Sequence, residues 1–98
     1  MSTQGAGDVT AAGERARIVA LLDGAMAQAA MARLGDTREV VPVDLHIAFM
    51  RPATGQPLVQ ARASGGGRSL CFCEATLTGA GGEVAARAMG TFRLRDPA

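Results

Sequence analysis

Apolar residues recur at three- and four-residue steps through residues 14–34 (ERARIVALLDGAMAQAAMARL), with Ile18, Leu21, Leu22, Ala25, Met26, Ala29 and Ala30 in phase. The run lacks proline and is rich in Ala, Leu and Met, which predicts one amphipathic to fully buried helix. Gly35 and Asp36 just past it are helix-stop chemistry, and Arg33 puts a cation where the C-terminal dipole favours one. The period then drops to two. Over residues 39–50 (EVVPVDLHIAFM), Val41, Val43, Leu45, Ile47 and Phe49 alternate with Pro42, Asp44, His46, Ala48 and Met50, the pattern of a long strand. Pro42 has no N–H for a ladder, so this strand begins at an edge or where two chains meet. Residues 51–55 turn the chain, and residues 57–64 read as a weaker, more polar strand running into Gly65-Gly66-Gly67. A third strand over 69–78 sets Leu70 and Phe72 against Cys71, Cys73, Ala75 and Leu77. After a hairpin turn at 79–82, a fourth over 83–95 alternates Val84, Ala86, Ala88, Gly90, Phe92 and Leu94 with Arg87, Met89 and Arg93. One helix followed by a meander of four antiparallel strands is an α+β arrangement, with the helix across a single face of the sheet. The exposed sheet edge is expected to pair with a second copy about a two-fold axis.

At 98 residues the chain supports one core, assigned to residues 14–98, with residues 1–13 (MSTQGAGDVTAAG) too small and polar to bury much and expected to form a flexible N-terminal arm. Much of the apolar content is Ala, and there are 13 Gly, so the core is small and oligomerisation is expected to supplement it. Ten Lys+Arg against nine Asp+Glu leave a net charge of +1, which disfavours a phosphate-neutralising partner. With three Phe and neither Tyr nor Trp, stacking platforms for single strands are lacking too, so no nucleic-acid partner is expected. No stretch approaches the roughly 20 apolar residues of a membrane span, and residues 1–17 lack a signal-peptide apolar region. A cytoplasmic address and no membrane partner follow. Cys71 and Cys73 share one strand face with their Cβ atoms too far apart for ordinary disulfide geometry, so both read as buried thiols in a reducing compartment.

Asp23 interrupts the apolar helix, where an unpaired buried carboxylate is costly, so it faces solvent or serves a pocket. His46, the single histidine, lies on the polar face of its strand, and a surface or interface role fits it best. No second histidine or suitably spaced carboxylate accompanies it, and no metal is expected. Residues 65–69 (GGGRS) lack the strand, lysine and helix context of a phosphate loop and read as a flexible hairpin connection. Cys71 has neither a neighbouring base nor a helix N-terminus to activate it.

Four segments, in order and covering about residues 18–94, resemble the hotdog-fold acyl-CoA thioesterases of the PaaI-like (phenylacetyl-CoA thioesterase) group: ALLDGAMAQAA at 20–30, VPVDLHIAFMRPA at 41–53, GGGRSLCFCEATL at 65–77 and GEVAARAMGTFRL at 82–94. The resemblance implies a hotdog fold, an antiparallel sheet wrapped around one central helix, and a homodimer or homotetramer. It implies hydrolysis of a small aromatic or short- to medium-chain acyl-CoA, the coenzyme A thioester being substrate and no cofactor being needed. The helix carboxylate that acts as general base or nucleophile in such enzymes matches Asp23.

The family's backbone oxyanion donor lies in a histidine-glycine-glycine motif at the helix start, a motif that aligns here with Glu14, Arg15 and Ala16. None of the three matches, so the donor is expected from the N–H of Arg15 or Ala16, with a Cβ where glycine let substrate approach. A serine or threonine that orients water in some relatives corresponds to Pro42. Pro42 and Val43, with Gly67, Arg68 and Ser69 near the coenzyme A entrance, are the expected substrate-binding residues; Arg68 would meet a phosphate. The N-terminal elements of the family look replaced or truncated. The alternative is a catalytically impaired hotdog dimer kept as an acyl-CoA-binding or structural module.

Overall fold

The backbone sorts into α1 (Gln4–Leu34), β1 (Val40–Phe49), β2 (Leu58–Gly66), β3 (Leu70–Thr78) and β4 (Val84–Leu94) in a computed structural model that describes residues 4–35 and 39–95. Helix α1 begins at Gln4, ten residues before the start that periodicity marks, so most of the segment expected as an arm carries helical backbone. Once a helical nucleus exists, each further residue adds one hydrogen bond, and no proline stops propagation toward the N-terminus. Residues 1–3 of that segment lie outside the described residues. At 31 residues the helix is about 46 Å long at 1.5 Å per residue. It outruns strands of 9 to 11 residues, and residues 12–17 are all exposed. The stop falls where expected: Gly35 has φ 62° and its N–H donates to the Met31 carbonyl at 3.0 Å.

The sheet is antiparallel throughout with spatial order β1-β4-β3-β2. Strands β2, β3 and β4 follow one another as hairpins, but β1 lies against β4, which corrects the expected simple meander. The connection after β1 instead carries the chain from one edge of the sheet to the other, held by the N–H groups of Met50 and Arg51 on the Ala85 carbonyl. A second correction concerns β1, whose register against β4 shifts between Pro42 and Asp44. Proline cannot bond into the ladder and Val43 is the extra residue of a bulge. Leu45, opposite Gly90, and Ile47, opposite Ala88, therefore face α1, whereas Val41, opposite Arg93, joins Asp44 and His46 on the other face.

The core forms where Ile18, Leu22, Met26 and Ala30, one i, i+4 stripe of α1, meet Cys71, Cys73, Ala75 and Leu77 of β3 and Ala86, Ala88 and Phe92 of β4. Alanine and cysteine fill most positions, which lets helix and sheet approach closely. With extents of 49 × 33 × 18 Å the molecule is two layers thick, one helix on one sheet. Among the described residues, no helix or strand covers the other face.

Candidate functional site

Asp23 follows the fully buried Leu22 and sits on the flank of the α1 stripe, half-buried. Its Oδ1 is buried and has no hydrogen-bond partner among the described residues. An unsatisfied buried oxygen costs about 1–3 kcal/mol, more when charged, so the helix holds an acceptor whose partner is not supplied by this chain's described groups. Such a carboxylate can take a proton from water or attack a carbonyl carbon. Helix α1 packs mainly over β2 and β3 and only thinly over β1 and β4. The helix-side residues Leu45 and Phe49 of β1 consequently remain 36% and 48% exposed. Gly90, opposite Leu45, leaves room for these side chains: a Cβ there would lie 2.9 Å from Leu45 Cδ2 and 3.0 Å from Phe92 Cε1, and both would have to shift.

The expected oxyanion donors are placed differently from the helix start assumed for them. Arg15 and Ala16 lie well inside α1, both exposed, and helical bonding commits their N–H groups to the carbonyls of Ala11 and Ala12. The reason is the extension of α1 to Gln4: the four free N–H groups of a helix belong to its first turn, and that turn is elsewhere.

The expected substrate-binding residues gather at one end of the sheet. Pro42 and Val43 form the exposed bulge of β1, and Gly67, Arg68 and Ser69 form the exposed turn between β2 and β3. Two bonds bind this end together, Leu94 N–H to the Ser69 carbonyl at 2.9 Å and Arg95 N–H to the Glu39 carbonyl at 2.7 Å. Gly66 reaches φ 132° there, and a Cβ on it would lie 2.8 Å from Cys71 Cα. Helix α1 crosses near the middle of β3, where the Cys73 thiol donates to the Met26 carbonyl at 3.5 Å. Asp23 lies three residues before Met26, about 4.5 Å back along the helix axis.

Cys71 and Cys73 are both free and buried, with Sγ atoms 3.7 Å apart. Burial, reinforced by the hydrogen bond and charge of Cys71, pushes the Cys73 thiol up to about 12, so it is held protonated and unreactive. Sequence spacing did not disclose a clasp at the opposite end of the sheet. Glu83 accepts from the Thr54 hydroxyl and from the Thr54 N–H at 2.7 Å, while Gly81 N–H donates to Thr54 Oγ1 at 3.0 Å. These bonds hold the Glu83 carboxyl below its ordinary range. The partners are 29 residues apart, and no local signal could have joined them. Two open hollows of about 390 and 690 Å³ lie on the outer face of the sheet, between Gln60, Arg62 and Arg87 and between Asp44, His46 and Phe72. They are on the side away from α1, so neither belongs to Asp23. Among the described residues there is no group of three or more His, Cys, Asp or Glu that could hold a metal, and no helix long and apolar enough to cross a membrane.

A family description named Thioesterase superfamily matches residues 15–86. Among solved structures, a Bacillus halodurans protein crystallised with CoA is similar at TM-score 0.72 and 27% identity, over 78% of this chain and 54% of that one. A phenylacetic acid degradation-related protein from Ralstonia eutropha is similar at TM-score 0.70 and 28% identity, over 79% of this chain and 58% of that one. A Thermus thermophilus thioesterase complexed with coenzyme A and Zn shares the fold at TM-score 0.64 and 24% identity, over 83% and 64%. The chain therefore spans little more than half the length of the first two. Comparison with curated proteins finds no match. One helix on a four-stranded antiparallel sheet is the hotdog arrangement that these structures share.

Proposed function

The chain belongs to the thioesterase superfamily, and on that premise we propose that it hydrolyses an acyl-CoA thioester with Asp23 as the reacting carboxylate. The observation that carries this reading is the Oδ1 of Asp23, buried mid-helix without a donor among the described residues. As general base, Asp23 takes a proton from water as the water oxygen attacks the thioester carbonyl carbon. The tetrahedral oxyanion then collapses, the C–S bond breaks, and the coenzyme A thiolate leaves and is protonated. As nucleophile, the same carboxylate attacks the carbonyl carbon, the C–S bond breaks and the coenzyme A thiolate leaves and is protonated, and water then opens the resulting anhydride to the free acid and the regenerated carboxylate. The acyl portion would lie against Leu45 and Phe49, the uncovered helix-side residues of β1, and Arg68 at the glycine turn would meet a phosphate. The PaaI-like words of the sequence favour a small aromatic or short- to medium-chain acyl group. Pairing of β1 with a second copy would close the open side of this site, and two free buried thiols fit a reducing, cytoplasmic setting.

A second reading has its own observation. With the N–H groups of Arg15 and Ala16 bonded inside α1, neither serves as the oxyanion donor, and a site without any donor would leave an acyl-CoA-binding module. Release of free thiol from a panel of acyl-CoA substrates, with Asp23→Ala and Asp23→Asn alongside, decides between them. Hydrolysis requires turnover that both substitutions abolish. Binding of coenzyme A with no turnover on any substrate establishes the module.

A further inference from the structure

We infer that the outer face of the sheet carries a binding site for a small aromatic monocarboxylate, its carboxylate on Arg87 and its ring on Met89. The site lies apart from Asp23 and does not depend on the proposed hydrolysis. Strand alternation turns Gln60, Thr76, Arg87 and Met89 away from α1, and all four line the open hollow of about 390 Å³. Arg87 is in register with Thr76, and Thr76 with Gln60, so the three form one row across the strands. Side chains directly opposite in such a row have Cβ atoms about 5 Å apart, which sets a guanidinium, a hydroxyl and an amide side by side as hydrogen-bond donors. Donors grouped in this way suit an anion.

Charge narrows the class of anion. Glu74 also lines the hollow, but it is closed on Arg62, whose Nε donates to Glu74 Oε1 at 2.6 Å. That pair cancels itself, whereas Arg87 has no carboxylate partner among the described residues. One uncompensated positive charge fits a monoanion. A phosphate dianion or the polyphosphate of a nucleotide would bring more negative charge than the row offsets, beside Glu74. The guanidinium fork matches the two oxygens of a planar carboxylate. The body of the ligand is read from what adjoins Arg87. Met89 lies one pleat, about 6.7 Å, along β4 and is 63% exposed, and Phe72, opposite Thr91 one pleat further on, is 47% exposed. A thioether and an exposed aromatic ring both favour an aromatic partner over an aliphatic one. A carboxylate set on Arg87 therefore carries its ring over Met89 toward Phe72. Asp44 lines the adjoining hollow beyond Met89 and disfavours a second carboxylate at the far end of the ring.

The probe is 3-phenylpropanoate, titrated into the full chain and followed by calorimetry and by backbone amide shifts. It should saturate with a dissociation constant on the order of 1 mM, the affinity open to about ten heavy atoms in a shallow hollow. The amides of Thr76, Arg87 and Met89 should move, and those flanking Asp23 should not. The neutral 3-phenylpropanamide should bind about tenfold more weakly, and hexanoate, which keeps the charge without the ring, about threefold more weakly. Arg87→Gln should weaken 3-phenylpropanoate about tenfold with an unchanged circular dichroism spectrum, whereas Asp23→Ala should leave its binding as it is. Absence of saturation up to about 10 mM overturns the inference. So does binding that folded Arg87→Gln leaves untouched, hexanoate or inorganic phosphate binding as tightly as the aromatic acid, or shifts confined to α1 and β1. Thiol release from acyl-CoA is scored separately, so failure of this site and failure of the hydrolytic reading give different results.

Discussion

Asp23 is held where its proposed role and the fold conflict. The carboxylate weakens the helix it occupies, both by its low helix propensity relative to alanine and by the buried oxygen left without a donor. Asp23→Ala should therefore stabilise the protein by about 1 kcal/mol, raising the melting temperature by about 4–8 °C for a domain of this size. Turnover should fall about 10²- to 10⁴-fold in the same variant. Calorimetry beside a thiol-release assay reads both signs, and a lower melting temperature would show that Asp23 is a structural partner. Its candidacy was legible through family resemblance, but its burial was not, because a helix flank is covered or open according to how the helix sits on the sheet. Cys73 gives a second residue-scale prediction. Its folded value near 12 lies above the ordinary cysteine value near 8.5, so the neutral thiol is the form the fold favours. Its contribution to stability is complete below about pH 8.5 and is lost as pH rises toward 12. Unfolding monitored from pH 8 to 11 should show declining stability that Cys73→Ser attenuates.

At the scale of elements, alternation and turn chemistry located all four strands and the helix stop, since each rests on contacts a few residues apart. What they missed comes from residues that break the local rule. Proline 42 inserts a bulge, and one extra residue reverses the face of everything before it, so Val41 lies opposite the side assigned by counting from Leu45. The order β1-β4-β3-β2 was equally hidden, because the long connection after β1 is closed by Thr54 and Glu83 rather than by a tight turn. This clasp also needs Gly79, where a Cβ would overlap the Glu83 carboxylate and come within 2.7 Å of Thr54 N. Gly79→Ala should accordingly break the clasp and lower the melting temperature, whereas at Gly82, φ 87°, a Cβ meets nothing and only backbone strain would count. The clasp is pH-sensitive with a definite sign. Its hydrogen bonds favour the ionised form, so the stabilisation is present above the ordinary glutamate value near 4.3 and disappears as pH falls through the lower folded value. Glu83→Gln should remove that part of the acid dependence, so variant and wild type should differ at pH 6 and converge toward pH 2 in acid-unfolding curves.

The described residues form a sheet with one covered face and two edge strands, β1 and β2. Strand β1 has 10 residues and no strand beyond it, and Val43, Leu45, Phe49 and Met50 remain substantially exposed along or just past it. Only Pro42 and its bulge blunt the edge, at one end, and no lysine stands in the strand to repel another chain. A flat stretch from Leu45 to Phe49 left in this state would template aggregation, whereas antiparallel pairing with the same stretch of a second copy would satisfy its free N–H and C=O groups about a two-fold axis. The same pairing would cover the helix-side trough beside Leu45, which joins assembly to the proposed site. Hydrogen exchange measured across a dilution series should then find alternate β1 amides, those pointing away from β4, protected at high concentration and exchanging freely at low. Amides of β3, flanked by strands on both sides, should keep their protection throughout. Leu45→Asp should abolish the concentration dependence without unfolding β3, and β1 amides protected equally at every dilution in that variant would mean the edge is closed by this chain's own residues.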